Sequence, residues 1–225
     1  MPTPALPTDV NTHERKDHRA SSPTPLSRRD ALKAGAASMA LALTLGPMGA
    51  AVVQELTRLA GGKPMTGARL AGILQTERSK WNALLAEIGP DRMERPGVEG
   101  EWSVKQIVAH LTWYENRIVE GAQQIVGSGT YTKGRSGLAG LPMDERNNRI
   151  AAESRQRPLS DVLAEADQVF AQLVTAIAAC PDDILNDARR LGLPDDIAPW
   201  MRVANSSYAH YREHGQAIRA WLARQ

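Results

Sequence analysis

Apolar residues recur every three to four positions through most of residues 66–225, a period that predicts helices rather than strands. The first predicted helix runs from about Thr66 to Ile88, with Leu70, Leu74, Trp81, Leu84 and Ile88 on one stripe. Gly89-Pro90 ends it, since proline cannot continue the backbone ladder. The second has the clearest start in the chain. Ser103 and Gln106 form a capping box, and Trp102 and Ile107 are spaced as a hydrophobic staple across it. Its stripe continues through Leu111, Tyr114, Ile118 and Ile125 to the Gly127-Ser128-Gly129 stop.

A glycine-rich stretch then leads to Pro142, which suits a helix start, and a third helix is predicted over Met143 to about Arg155. Pro158 breaks it, and Ser160 is the predicted cap of a fourth helix whose stripe is Val162, Ala166, Val169, Leu173 and Ile177. The last predicted helix runs unbroken from near Pro199 to the C-terminus, with Trp200, Val203, Tyr211, His214 and Trp221 on one face. No strand-like alternation occurs. The expected fold is all-α: a four-helix bundle with an additional short helix, occupying 66–225 after a linker at 52–65.

Residues 1–51 break the pattern and read as a non-globular leader. A polar, proline-rich stretch precedes Ser27-Arg28-Arg29-Asp30-Ala31-Leu32-Lys33 and an uncharged Ala/Gly/Leu segment. This resembles a twin-arginine (Tat) export signal with an extended polar n-region, although Ala31 stands where such signals usually carry an aromatic. The expected address is periplasmic or otherwise extracytoplasmic. The alternative is an N-terminal membrane anchor, because the apolar segment nearly reaches spanning length. Either way, membrane contact is expected only through the leader.

Charge then changes the reading of partners. Residues 1–51 hold six basic and four acidic side chains of the 27 and 25 in the chain, leaving 21 of each in the remainder. The bundle is neutral by formal count, so nucleic-acid binding has no electrostatic support. The single cysteine, Cys180, excludes an internal disulfide; it reads as a buried structural thiol.

Beyond the leader there are only three histidines: His110, His210 and His214. The last two are four apart and share a helix face, the spacing by which one helix offers two imidazoles to one ion. His110 follows the apolar stripe of the second helix and can face the interior. Three imidazoles would leave an open position for water or substrate, as catalytic metal sites do. Hydrogen-bonded core histidines are the alternative. Imidazole ligation does not choose among zinc, nickel, iron and manganese. Tyr114 and Glu115, just after His110, are the candidate catalytic side chains. Tyr114 is in reach of a metal-bound water, while Glu213 points away.

Trp102-Ser103-Val104-Lys105-Gln106-Ile107-Val108-Ala109-His110-Leu111 resembles the start of the second helix of DinB/YfiT-like proteins. Tyr208-Ala209-His210-Tyr211-Arg212-Glu213-His214 is similar to the His-x-x-x-His segment of their last helix. The middle stretch Met143–Ile177 resembles the ClbS/DfsB-like branch. The resemblance covers about residues 66–223 and implies a four-helix bundle with a divalent metal ion on His110, His210 and His214. It also implies an enzyme, a hydrolase or a thiol-dependent transferase, acting on a small molecule and in some relatives using a low-molecular-weight thiol. A non-catalytic module that sequesters a small molecule or metal is the alternative, and a homodimer through an apolar helix face is open.

Overall fold

The computed structural model describes residues 63–132, 137–191 and 198–225. The leader and most of the 52–65 linker lie outside them. Four long helices carry the fold: α1 (Gly67–Ile88), α3 (Val104–Ser128), α5 (Leu159–Ala179) and α8 (Tyr208–Leu222). Shorter ones intervene: α2 (Pro90–Met93), α4 (Met143–Arg155), α6 (Asp182–Asn186) and α7 (Pro199–Ser206). No strand occurs among the described residues. The four long helices close a ring in which α1 meets α5 and α8, and α3 meets the same two from the other side. Leu70, Leu74, Ile107, Leu111, Leu173 and Ile218 fill its interior, all essentially without solvent contact. This is the all-α bundle expected from the period.

Local chemistry sets the ends. Thr66 caps α1, its side chain accepting from the Arg69 amide. Asp182 Oδ1 reaches across from α6 to the Gly67 amide at 2.9 Å, placing negative charge at the positive end of the α1 dipole. The Ser103–Gln106 capping box forms in both directions. Gln106 also donates to the Ala151 carbonyl of α4 at 3.1 Å, so the start of α3 is tied to α4.

Two expectations are corrected. The cap of α5 is Pro158, not Ser160, which is already the second helical residue and bonds only the Asp161 side chain. Proline suits this place because its fixed φ and missing N–H cost nothing before the first turn; its carbonyl accepts from Asp161 and Val162. The C-terminal helix is not continuous. It breaks at Ser207 (φ −134°, ψ −102°), separating α7 from α8. The Ser207 hydroxyl donates to the Val203 carbonyl at 2.5 Å, giving the backbone a local alternative to the ladder. The break re-aims α8, and α8 carries two of the three histidines.

Candidate metal centre

His110 lies in the second turn of α3, and His210 and His214 lie one turn apart on α8, which packs against α3. One ring nitrogen from each of the three falls within 4.8 Å of the other two. His110 and His214 are buried, and His210 is half-buried. His110 Nε2 and His210 Nε2 are 3.2 Å apart. Two imidazole nitrogens on one tetrahedral ion, each at the usual metal–nitrogen bond length, would be separated by about 3.3 Å. The spacing of this pair therefore matches a shared ion, and the third nitrogen lies within 4.8 Å of both.

His214 is oriented from behind. Its Nδ1 is 2.6 Å from Glu99 Oε1. An ionised carboxylate only accepts, so Nδ1 carries the proton and, in the neutral ring, Nε2 presents a lone pair. That Nε2 is buried and has no hydrogen-bond partner. A carboxylate behind an imidazole, with the far nitrogen bare, is the arrangement by which proteins fix the tautomer of a metal ligand.

Glu99 was not anticipated, because it lies in a loop with no helical register to the histidines. The loop is nonetheless built: the Trp102 amide donates to the Glu99 carbonyl at 2.9 Å, and the Val98 amide to the Trp102 carbonyl at 2.9 Å. Gly100 at the first central position has φ 55°, a left-handed value that favours glycine. The tight turn holds Glu99 just upstream of the α3 cap.

The electrostatics favour neutral imidazoles at His110 and His210. Burial holds the His110 pKa down at about 3, with the charges of His214 and Arg146 acting in the same direction. Burial also pushes His210 well below its ordinary value, assisted by His214 and His110. Neutral imidazoles are what metal ligation requires. Trp102 and Tyr114 wall the cluster, with ring centroids 5.2 and 4.9 Å from that of His110.

The two other sequence candidates part company. Tyr114 stays beside the cluster, its ring 5.4 Å from that of His210. Its hydroxyl donates to Asn147 Oδ1 at 3.0 Å and accepts from Arg146 Nη2 at 3.0 Å. Glu115 is fully buried but belongs to a different network. It accepts from the Tyr211 hydroxyl, and Arg78 Nη1 lies 3.9 Å from its second oxygen. Arg78 also donates to the Tyr211 hydroxyl at 3.1 Å and pairs with Asp167 at 3.0 Å. None of Glu115's hydrogen bonds or ion pairs reaches a histidine. Burial pushes its pKa up to about 7, against the hydrogen bond from Tyr211 and the Arg78 charge. Glu213 is exposed, as its register predicts. Cys180 is buried, and burial, reinforced by Asp182, raises its thiol pKa. It borders an apolar cavity of about 400 Å³ whose described lining includes none of the histidines.

Comparison with known proteins agrees with this architecture. The sequence matches the DinB superfamily over residues 73–218. The chain belongs to that superfamily. A crystal structure of an uncharacterised protein from Escherichia coli UTI89 superposes with a TM-score of 0.56 at 18% identity, covering 72% of this chain and 95% of that one. A protein from Streptococcus pneumoniae, also a crystal structure, gives 0.58 at 11% identity, covering 73% and 96%. At these identities the likeness concerns the fold alone. No curated protein matches significantly.

Proposed function

We propose that this chain is a metal-dependent enzyme acting on a small molecule, with one divalent ion held by His110, His210 and His214. The observation that carries the reading is the convergence of three imidazole nitrogens, with Glu99 holding Nδ1 of His214 and leaving its Nε2 bare. Zinc, nickel, iron and manganese all accept such a donor set. Bound there, the ion would supply Lewis acidity and lower the pKa of a water or thiol in the open position. The protein's own contribution is orientation. Glu99 fixes His214, burial keeps His110 and His210 neutral, and Trp102 and Tyr114 wall the cluster.

The open position suits hydrolysis or transfer to a low-molecular-weight thiol. A twin-arginine leader would deliver the domain folded and metal-loaded to an extracytoplasmic space; replacing Arg28 and Arg29 with lysine should then retain the protein inside the cell.

The test is metal content. Elemental analysis of the purified full chain should find about one ion per chain, and His210→Ala and His214→Ala should lose it while keeping helical content. A mutant holding as much metal as the wild type would sink the assignment. A metal-loaded protein inert towards panels of ester, amide and thiol-transfer substrates would instead favour sequestration without turnover.

A further inference from the structure

We propose that Arg146 binds a carboxylate group carried by the substrate, fixing that group beside the three-histidine centre; the proposal rests on the metal-site reading above. Arg146 is on α4, outside the ring of long helices, and reaches the cluster through Tyr114. Its Nη2 donates to the Tyr114 hydroxyl at 3.0 Å. The Tyr114 ring in turn lies against both His110 and His210. The guanidinium carbon is 5.1 Å from the Trp113 ring centroid and 5.5 Å from that of Tyr114, so two aromatic faces fix its position.

What Arg146 lacks is an acid. Arg117 pairs with Glu120 and Arg149 with Glu145, whereas Arg146 pairs with no carboxylate among the described residues. Its Nη1 makes one long contact to the Leu141 carbonyl at 3.4 Å. Its Nε is buried and has no hydrogen-bond partner among the described residues. A half-buried guanidinium carries a cost when neither water nor a counter-charge satisfies it. A carboxylate brought to the guanidinium would supply the missing charge and a better acceptor than the long Leu141 contact at Nη1.

The tyrosine hydroxyl supports this role. It gives its proton to Asn147 Oδ1 and accepts from Arg146 Nη2, so it holds the arginine without neutralising it. Tyr114 and Asn147 are positioning residues for Arg146. The substrate class that follows is a small organic acid, with its carboxylate at Arg146 and its reacting group at the imidazoles.

The test uses the full chain loaded with Co(II), whose visible absorption reports on its ligands. Benzoate is titrated in, with benzamide as the uncharged control. Wild-type protein should respond to benzoate and bind benzamide more weakly. Arg146→Gln should weaken benzoate binding about tenfold or more, in line with a charge-assisted pair, with Co(II) affinity unchanged. Arg146→Lys keeps the charge without the fork and should fall between the two; it decides the matter alone if the glutamine variant does not fold. Benzoate binding equal to wild type in these variants would overturn the proposal while leaving the metal site standing. A wild-type protein that takes up no Co(II) would instead overturn the metal reading on which it rests.

Discussion

Glu99 Oε1 sits 2.6 Å from His214 Nδ1, so a residue from the turn before α3 orients a ring on α8, 115 positions later in the chain. This contact gives the histidine cluster a direction, because it leaves Nε2 as the only nitrogen of His214 free to ligate. Removing such a partner usually lowers metal affinity by about 10- to 100-fold. Glu99→Ala should therefore weaken Zn(II) binding by that order in a chelator competition, with little change in far-ultraviolet dichroism, because Glu99 is not buried. Affinity equal to wild type would mean that the Glu99–His214 contact does not orient a ligand.

A second expectation concerns pH. The carboxyl of Glu115 has its pKa raised by burial to about 7, from an ordinary value of 4.5. Between those values the folded state binds more protons than the unfolded one. The group's contribution to stability is therefore fully present below about 4.5 and is lost as pH rises through about 7. Glu115→Gln removes the titration and keeps an oxygen that can accept from Tyr211. The melting temperature of the variant relative to wild type should climb as pH goes from 4.5 to 8. A difference that stays flat over that range would show that Glu115 is already ionised at low pH, held by Arg78.

Two glycines of α1 predict opposite signs. A Cβ on Gly67 would lie 2.6 Å from the Ile177 carbonyl oxygen and 3.2 Å from those of Ala178 and Cys180. These are backbone atoms at the end of α5, which cannot rotate away, so Gly67→Ala should cost about 1–3 kcal/mol. Gly72 is exposed in mid-helix with nothing within 4 Å of its Cβ position. Gly72→Ala should stabilise by roughly 0.5–1 kcal/mol through helix propensity. Thermal melts of the two single variants check both, at roughly 2–4 °C per kcal/mol for a domain of this size.

Helix spans and histidines were legible in the sequence because they follow short-range rules. The capping box at Ser103, the glycine stops and the His210–His214 spacing are each set within a few residues. What escaped depends on how distant segments meet. Glu99 has no periodic relation to His214, and only the glycines around its turn hinted at a fixed loop. Arg146 became notable only when α4 laid it against Tyr114 and no acid met it. The break at Ser207 carries no Gly or Pro; the polar run Asn205-Ser206-Ser207 was its one local sign. Glu115 follows Tyr114 directly, yet the roughly 100° turn per helical residue sends it towards Arg78 and Tyr211 instead of the histidines.

Gln106 offers a test that separates local from tertiary chemistry. As the third residue of α3 it completes the capping box, its Oε1 accepting from the Ser103 amide at 3.0 Å. By capping rules alone, Gln106→Glu should be neutral or favourable, since glutamate suits this position and the helix dipole favours negative charge there. However, Gln106 is buried, and its Nε2 donates to the Ala151 carbonyl of α4. Glutamate would keep the first bond and lose the second, placing a carboxylate oxygen against a carbonyl oxygen away from water. An unsatisfied buried pair of this kind costs about 1–3 kcal/mol or more. Gln106→Glu should therefore destabilise at least as much as Ser103→Ala, for which about 1 kcal/mol is typical. Because α4 carries Arg146, the glutamate variant should also weaken benzoate binding to the Co(II) protein, whereas Ser103→Ala should not. Equal benzoate affinity in the two variants, alongside a stable Gln106→Glu, would show that the α3–α4 tie does not hold Arg146 in place.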